Sequence, residues 1–395
     1  PIAQRRRDIA AGLNTGGFIS GYRGSPLGAL DRELSQANRY YKGMDVVFMP
    51  GVNEDLAATA VWGTQQVGLL PGATKDGVFG IWYGKSPGVD RSVDVMRHAN
   101  ANGTAALGGV LAIVGDDHGC KSSTLACQSD HVLGAMEIPT LYPYSLSEFV
   151  EYGLLGIAMS RYSGCWTALK VTSATVETSG TVDLNCEQRD ILVPTKAEFT
   201  MPPGGVHIRL KDTPHDIDWR LQNYKPFACY AFARKNNIDR TVIDSPTPRF
   251  GIITAGKSYG DVRQALIDLG ITDEVAHNIG LRLYKVGMTW PLEPQGVRAF
   301  VEGLEEVLIV EEKREFLEYQ LKQNVYNWEA GRRPPVIVGK YDEKGDRLLP
   351  LDNDHSVGMV THVIAKRIRR FYHNEKVEQA LKFYDDYRAR EKGYM

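Results

Sequence analysis

The stretch Phe18-Ile-Ser-Gly-Tyr-Arg-Gly-Ser-Pro-Leu-Gly28 sets the fold. A short apolar run ends in a turn rich in Gly and Pro, and a helical pattern follows over Leu30–Arg39. A strand that feeds a helix through a tight turn is half of a parallel β/α unit. The same cadence recurs along the chain. Strands are expected at Phe18–Gly21, Val46–Met49, Val78–Tyr83, Val110–Val114, Thr140–Tyr142 and Ala168–Thr172. Helices are expected at Leu56–Val67 and Ser92–Ala101, and one starting at Ser145-Leu-Ser-Glu148, which has capping-box spacing, and running to Arg161.

This pattern predicts an α/β protein with a large doubly wound parallel sheet over residues 1–237. The polar, proline-bearing stretch Ile238–Pro248 reads as a linker. A second α/β unit is expected over 249–371. Its strands should be Phe250–Thr254, Leu281–Val286, Val307–Val310 and Val336–Val338, and its helices Tyr259–Leu269, Pro294–Gly303, Glu315–Asn327 and Val357–Phe371. Residues 372–395 read as a charged helical tail.

A length of 395 residues exceeds one ordinary core. The formal net charge of −2 argues against a nucleic-acid binder, which would carry a basic stripe. No apolar run is long enough for a membrane-spanning helix, and no signal peptide precedes the first strand. Five scattered cysteines contain no C-x-x-C pair, so neither a zinc ribbon nor a ferredoxin-type cluster is encoded, and free thiols in the cytoplasm are expected. The chain opens on Pro1 and is read as a segment of something longer.

Ligands of open parallel sheets bind where the carboxyl ends of the strands release their loops. Four such loops carry both glycine and charge: Gly21–Gly28, Pro50–Asp55, Gly84–Arg91 and Gly115–Ser123. Glu54 stands out because it follows a strand and opens a helix. The macrodipole alone favours an acid there, whereas a functional role requires burial beside a ring nitrogen. Asp55 is its immediate competitor. Arg23, Lys85, Arg91 and Lys121 are cations that could clamp a carboxylate, or could be solvated surface charge. His118 could carry a proton. Asp116-Asp117-His118 also invites a metal reading, which is set aside because adjacent residues rarely point the same way; no metal ligand is assigned. Gly251-Ile-Ile-Thr-Ala-Gly-Lys-Ser258 fits the P-loop pattern, yet Ile252–Thr254 look like strand and the turn left over is too short to wrap a phosphate.

Taken in order, these loops resemble the indolepyruvate:ferredoxin oxidoreductase family. Gly21-Tyr-Arg-Gly-Ser-Pro26 resembles its G-Y-x-G-[ST]-P turn, Asn53-Glu54 its Asn-Glu pair, and Gly115-Asp-Asp-His-Gly119 with Ser122-Ser123 its D-D-x-G-x-x-S-S segment. Phe250–Tyr259, Lys285–Leu292 and Glu302–Glu312 are similar to its transketolase C-terminal-type domain. Arg23 and Ser25 depart from compact versions of the subunit and are closer to the long fused form.

The resemblance implies a thiamine-enzyme aminopyrimidine-binding (Pyr-type) domain followed by a transketolase C-terminal-type domain. It implies thiamine diphosphate, with Glu54 catalytic at the aminopyrimidine ring. Tyr22, Gly24, Ser25, Pro26, Leu27 and Asn53 would border the cofactor, and Arg23, Lys85, Arg91, Asp116 and His118 the substrate. It implies oxidative decarboxylation of an aryl 2-oxoacid to its acyl-CoA, with ferredoxin and coenzyme A as partners and a homodimer as the assembly. Magnesium and iron–sulfur clusters are expected from diphosphate-binding and cluster domains outside this chain. The competing readings are a pyruvate- or 2-oxoglutarate-type oxidoreductase, a P-loop nucleotide-binding protein built on Lys257, and a non-catalytic scaffold.

Overall fold

The computed structural model describes residues 1–327 and 335–392. Strands occur, in chain order, at Thr15–Gly21 (β1), Val46–Phe48 (β2), Gly77–Lys85 (β3), Val110–Asp116 (β4), Thr140–Leu141 (β5), Trp166–Thr172 (β6), Arg240–Ile243 (β7), Phe250–Ala255 (β8), Leu281–Val286 (β9), Met288–Trp290 (β10), Glu306–Val310 (β11) and Val336–Val338 (β12). The chain divides into two compact units, residues 1–238 with 288–291, and residues 239–287 with 292–395.

The first unit holds a seven-stranded sheet in the order β10-β5-β6-β4-β3-β1-β2. Its pairs are parallel except β10 against β5. β4 lies at the centre, and every residue of it except Ile113 is buried. A strand covered on both faces reads as a continuous apolar run, which is what Val110-Leu-Ala-Ile-Val presents. Leu111 points to the face covered by helix Leu146–Ser163, where it joins Leu155 and Ile157. Val110, Ala112 and Val114 point to the other face, against Ala57 and Val61 of helix Glu54–Thr64 and Met96 and Ala99 of helix Val93–Asn102. Ser145 caps its helix by accepting from the Glu148 amide at 3.4 Å, and Gly164 ends it in the left-handed region at φ 72°.

The second unit is a five-stranded sheet in the order β12-β11-β8-β9-β7. Helices Gly256–Asp268 and Val357–Ile368 pack on it through Val262, Leu266, Val360 and Ile364. The charged segment after residue 372 forms helix Glu375–Lys392, whose Val377 and Leu381 enter this core.

Several elements differ from the sequence expectation. The polar stretch read as a linker contains β7, antiparallel to β9. Arg240 and Thr241 are exposed on this sheet edge, so the backbone pairs while the side chains stay wet and no apolar pattern marks the strand. β10 has no sequence expectation either, because three residues at an edge carry too little pattern. Residues Ser86–Arg91, read as loop, form a short helix with Pro87 in its first turn. Two further helices without a sequence assignment, Pro214–Asn223 and Lys225–Lys235, bring Cys229 and Phe232 into the first core.

Candidate active site

Glu54 is positioned by the backbone around it. Beyond Phe48 the chain stays laced to β1, with the Met49 amide donating to the Ile19 carbonyl at 2.9 Å and Gly51 to Gly21 at 2.8 Å. Asn53 then turns extended, and its side-chain oxygen accepts from the Leu56 amide at 2.8 Å. That cap starts the helix at Glu54. The Trp82 indole nitrogen donates to the Glu54 carbonyl at 3.0 Å and ties the helix start to β3. Glu54 is 8% exposed, whereas its competitor Asp55 is half-buried. Among the described residues no donor is hydrogen-bonded to the Glu54 carboxylate. Gly88 leaves the space this side chain occupies: a Cβ there would lie 2.5 Å from Glu54 Cγ and 2.9 Å from Oε1.

The first loop meets the third and fourth. Gly24 lies under the stem of Lys85, whose Cδ would be 2.9 Å from an added Cβ. The Ser25 hydroxyl is hydrogen-bonded to the Ser122 hydroxyl, and Ser123 Oγ donates to the Ser25 carbonyl at 3.3 Å. Pro26 and Leu27 close over Gly115, where a Cβ would meet Leu27 Cγ at 2.9 Å and Pro26 Cδ at 3.0 Å. The fold therefore gathers Gly24, Ser25, Pro26 and Leu27 with Lys85 and with the end of β4. Tyr22 is 38% exposed, and Arg23 and Arg91 are exposed as well.

Asp116 and His118 are buried inside this edge. Asp116 accepts from the Ser129 amide at 2.9 Å and the Ser129 hydroxyl at 2.6 Å, and lies 3.7 Å from His118 Nε2 and 3.5 Å from Lys170 Nζ. Burial opposes its ionisation, but the nearby His118 ring, the charge of Lys170 and the hydrogen bonds from Ser129 win and hold the carboxyl at about 2. Lys170, buried on β6, is also paired with Asp130 and stands 4.9 Å from the Tyr142 ring. Burial works against its charge, and the carboxylates of Asp130 and Asp116 more than offset it, raising its pKa. Asp116 is thus engaged internally, an arrangement that favours anchoring the loop over touching a substrate. Asp117 turns elsewhere and accepts from the amides of Lys121 (3.0 Å), Ser122 (2.8 Å) and Ser123 (2.8 Å).

Lys170, Asp130, Trp82 and Gly88 were missed in the sequence. A lysine inside Ala168–Thr172, a run otherwise fit for burial, was the available signal for a buried ion pair. The P-loop pattern finds no loop to support it. β8 runs through Ala255 and the helix starts at Gly256, while Lys257 Nζ lies 2.9 Å from Glu312 and 3.0 Å from Asp261.

The fold has counterparts among solved structures. Over 93% of the chain, and 64% of the other, it matches 2-oxoglutarate:ferredoxin oxidoreductase from Magnetococcus marinus, solved with 2-oxoglutarate, coenzyme A and succinyl-CoA bound, at TM-score 0.60 and 14% identity. It matches a split-gene transketolase, an inactive β4 tetramer, over 94% of this chain and 96% of that one, at TM-score 0.50 and 12% identity. The architecture is an α/β fold shared with these two structures. Residues 239–383 match the family model of the indolepyruvate ferredoxin oxidoreductase middle domain. Indolepyruvate oxidoreductase subunit IorA of Archaeoglobus fulgidus is 24% identical over 92% of this chain and 52% of that protein. The subunit of the same name from Pyrococcus abyssi is 28% identical over 59% of this chain and 36% of its own length. The second unit is thus similar to the middle domain of indolepyruvate ferredoxin oxidoreductase, and the chain spans about half the length of the curated relative it matches over most of its own residues.

Proposed function

We propose that this chain is the aminopyrimidine-activating part of a thiamine-diphosphate-dependent 2-oxoacid:ferredoxin oxidoreductase of the long fused form. The complete enzyme converts an aryl 2-oxoacid of the indolepyruvate kind to its acyl-CoA and passes electrons to ferredoxin. The observation that carries the reading is Glu54: an acid more than nine-tenths buried, with no internal donor on its carboxylate among the described residues and a glycine opposite it. Its carboxylate oxygens are not sealed inside the core, so a ligand nitrogen can reach them and share a proton.

Thiamine diphosphate supplies, when bound, a carbon nucleophile and an electron sink for loss of CO₂. Glu54 would hold the cofactor's aminopyrimidine ring by sharing a proton with one of its nitrogens. Asn53 and Trp82 hold the helix start still while that happens, one by capping the Leu56 amide and the other by gripping the Glu54 carbonyl. The loop Tyr22–Leu27, clamped by Ser122, Ser123 and Gly115, borders the substrate. Lys85 is the cation set against that loop and is the preferred partner of the substrate carboxylate; Arg23 and Arg91 stand farther into solvent. Around Glu54 lies an apolar rim of Val47, Met49, Val52 and Leu56, all more than half exposed. That rim fits the surface against which a diphosphate-binding domain, bringing magnesium, completes the cofactor site.

The test is Glu54→Gln in the complete enzyme. Thiamine diphosphate affinity should change a few-fold, while decarboxylation falls by about 10² to 10⁴, the usual share of a placed proton carrier. Undiminished decarboxylation would falsify the reading.

A further inference from the structure

Between β4 and helix Asp130–Ala135 the chain makes a loop whose ends are drawn together at one atom. The amides of Cys120 and Cys127 both donate to the Asp117 carbonyl oxygen, each at 3.3 Å. The two nitrogens therefore lie within twice that distance of each other, although seven positions separate them in sequence. Bridged cysteines have Cα atoms about 4.4–6.8 Å apart, and two amides sharing one acceptor hold these two backbones close to one another. Both sulfurs also work within this loop. Cys120 Sγ donates to the Ser123 carbonyl at 2.8 Å, and Cys127 Sγ accepts from the Asp117 amide at 3.3 Å. Cys120 sits at φ 52°, in the left-handed region that costs a side-chain-bearing residue strain.

We infer that Cys120 and Cys127 form a reversible disulfide under peroxide, and that this modification acts on the first active-site loop through Ser122 and Ser123. The exposed Cys120 is the sulfur a peroxide reaches first. Burial pushes the Cys127 thiol up, which keeps it protonated and leaves Cys120 to react first; Cys127 supplies the second sulfur. In the first step the Cys120 thiolate attacks one peroxide oxygen, the O–O bond breaks, and the departing oxygen leaves as water while the sulfur becomes a sulfenic acid. Cys127 sulfur then attacks that sulfur, the S–O bond breaks, and the hydroxyl leaves with the Cys127 proton as a second water. The two thiols give up two electrons and hydrogen peroxide accepts them. Once bridged, Cys120 has no S–H to donate to Ser123. Ser123 holds the Ser25 carbonyl and Ser122 the Ser25 hydroxyl, so oxidation loosens the clamp on Tyr22–Leu27. The bridge is independent of the catalytic assignment; its effect on turnover rests on that assignment.

The experiment uses the complete enzyme, exposed to stoichiometric hydrogen peroxide, alkylated and digested with trypsin. Cleavage after Lys121 separates the two cysteines, so a bridge appears as a linked peptide pair. A Cys120–Cys127 pair is expected, lost on treatment with dithiothreitol and absent from Cys120→Ser. Turnover of the wild-type enzyme should fall several-fold and recover with dithiothreitol, while Cys120→Ser, which carries the same remaining enzyme, is spared that reversible fraction. Full alkylation of both cysteines after peroxide, or linkage to a different cysteine, overturns the bridge. A bridge that forms with no reversible loss of turnover overturns the coupling to the Ser25 loop.

Discussion

At the scale of single residues, the space around Glu54 matters as much as the acid. Gly88 is the residue that leaves that space open. A methyl group added there would collide with the outer atoms of the Glu54 side chain, at 2.5–3.0 Å, rather than with backbone. Because the nearest atom is Cγ, the Glu54 side chain has to leave its rotamer to make room, and the carboxylate leaves its place while no backbone atom is hit. Gly88→Ala should therefore keep its melting temperature within a degree or two and lose at least about tenfold in turnover, since small misplacements of a reacting group weigh heavily. Comparing the thermal melt with the steady-state rate of the complete enzyme checks this; equal rates would mean that the position of the carboxylate does not matter. Glu54 itself was legible in the sequence, because a strand followed by Asn-Glu and a helical pattern is local information. Gly88 was not, since it is distant in the chain and becomes a neighbour only through the pairing of β3 beside β1.

At the scale of elements, buried charges tie the strand ends together. Lys170 on β6 faces Asp116 at the end of β4 and Asp130 in the following helix. Removing one member of a buried network leaves the others uncompensated, at a cost of about 3–5 kcal/mol. Lys170→Met should lower the unfolding free energy by about that much in urea titrations, and adding Asp130→Asn should restore part of the loss. A single variant as stable as the wild type would show the cluster to be idle. In the second unit, Glu311 accepts from the amides of Phe316, Leu317 and Glu318 at 2.8–3.1 Å. Burial still outweighs these bonds and the nearby Lys340 charge, and it pushes the carboxyl up to about 7. Its folded form therefore holds a proton that the unfolded chain releases near pH 4.5. Stability from this group is greatest below pH 4.5, falls as pH rises to 7 and is flat above. Relative to wild type, Glu311→Gln should gain about 3 kcal/mol of unfolding free energy between pH 4.5 and 7. A difference that stays constant across that range would contradict the raised pKa. Such network members escape a sequence reading for a physical reason: a charge inside an apolar run announces burial but not its partner.

At the scale of the whole molecule, what the sequence disclosed follows how strongly each element commits itself. Central strands such as β4, β6 and β8 are buried along their length and read as apolar runs, so they were placed to within a residue or two. Edge strands β7 and β10 are held by backbone pairing with little apolar demand, so their sequence carries no strand pattern. The apolar rim beside Glu54 is different again. Val52 is 82% exposed and Val47, on edge strand β2, is 54% exposed, so neither contributes to this chain's own core. An edge strand with apolar residues facing water is a liability unless something covers it. In the proposed enzyme that cover is the diphosphate-binding domain. Val47→Lys and Val52→Asp should leave the melt of this chain unchanged, because surface substitutions away from packed features usually stay within about 0.5 kcal/mol. In the complete enzyme each should weaken retention of thiamine diphosphate through gel filtration by at least about tenfold, as a charge is forced into a face that must be dry. If both variants keep the cofactor as the wild type does, the rim is ordinary surface and the diphosphate-binding domain docks elsewhere. If they lose it while Glu54→Gln retains it, holding the cofactor belongs to the rim and activating it belongs to the acid.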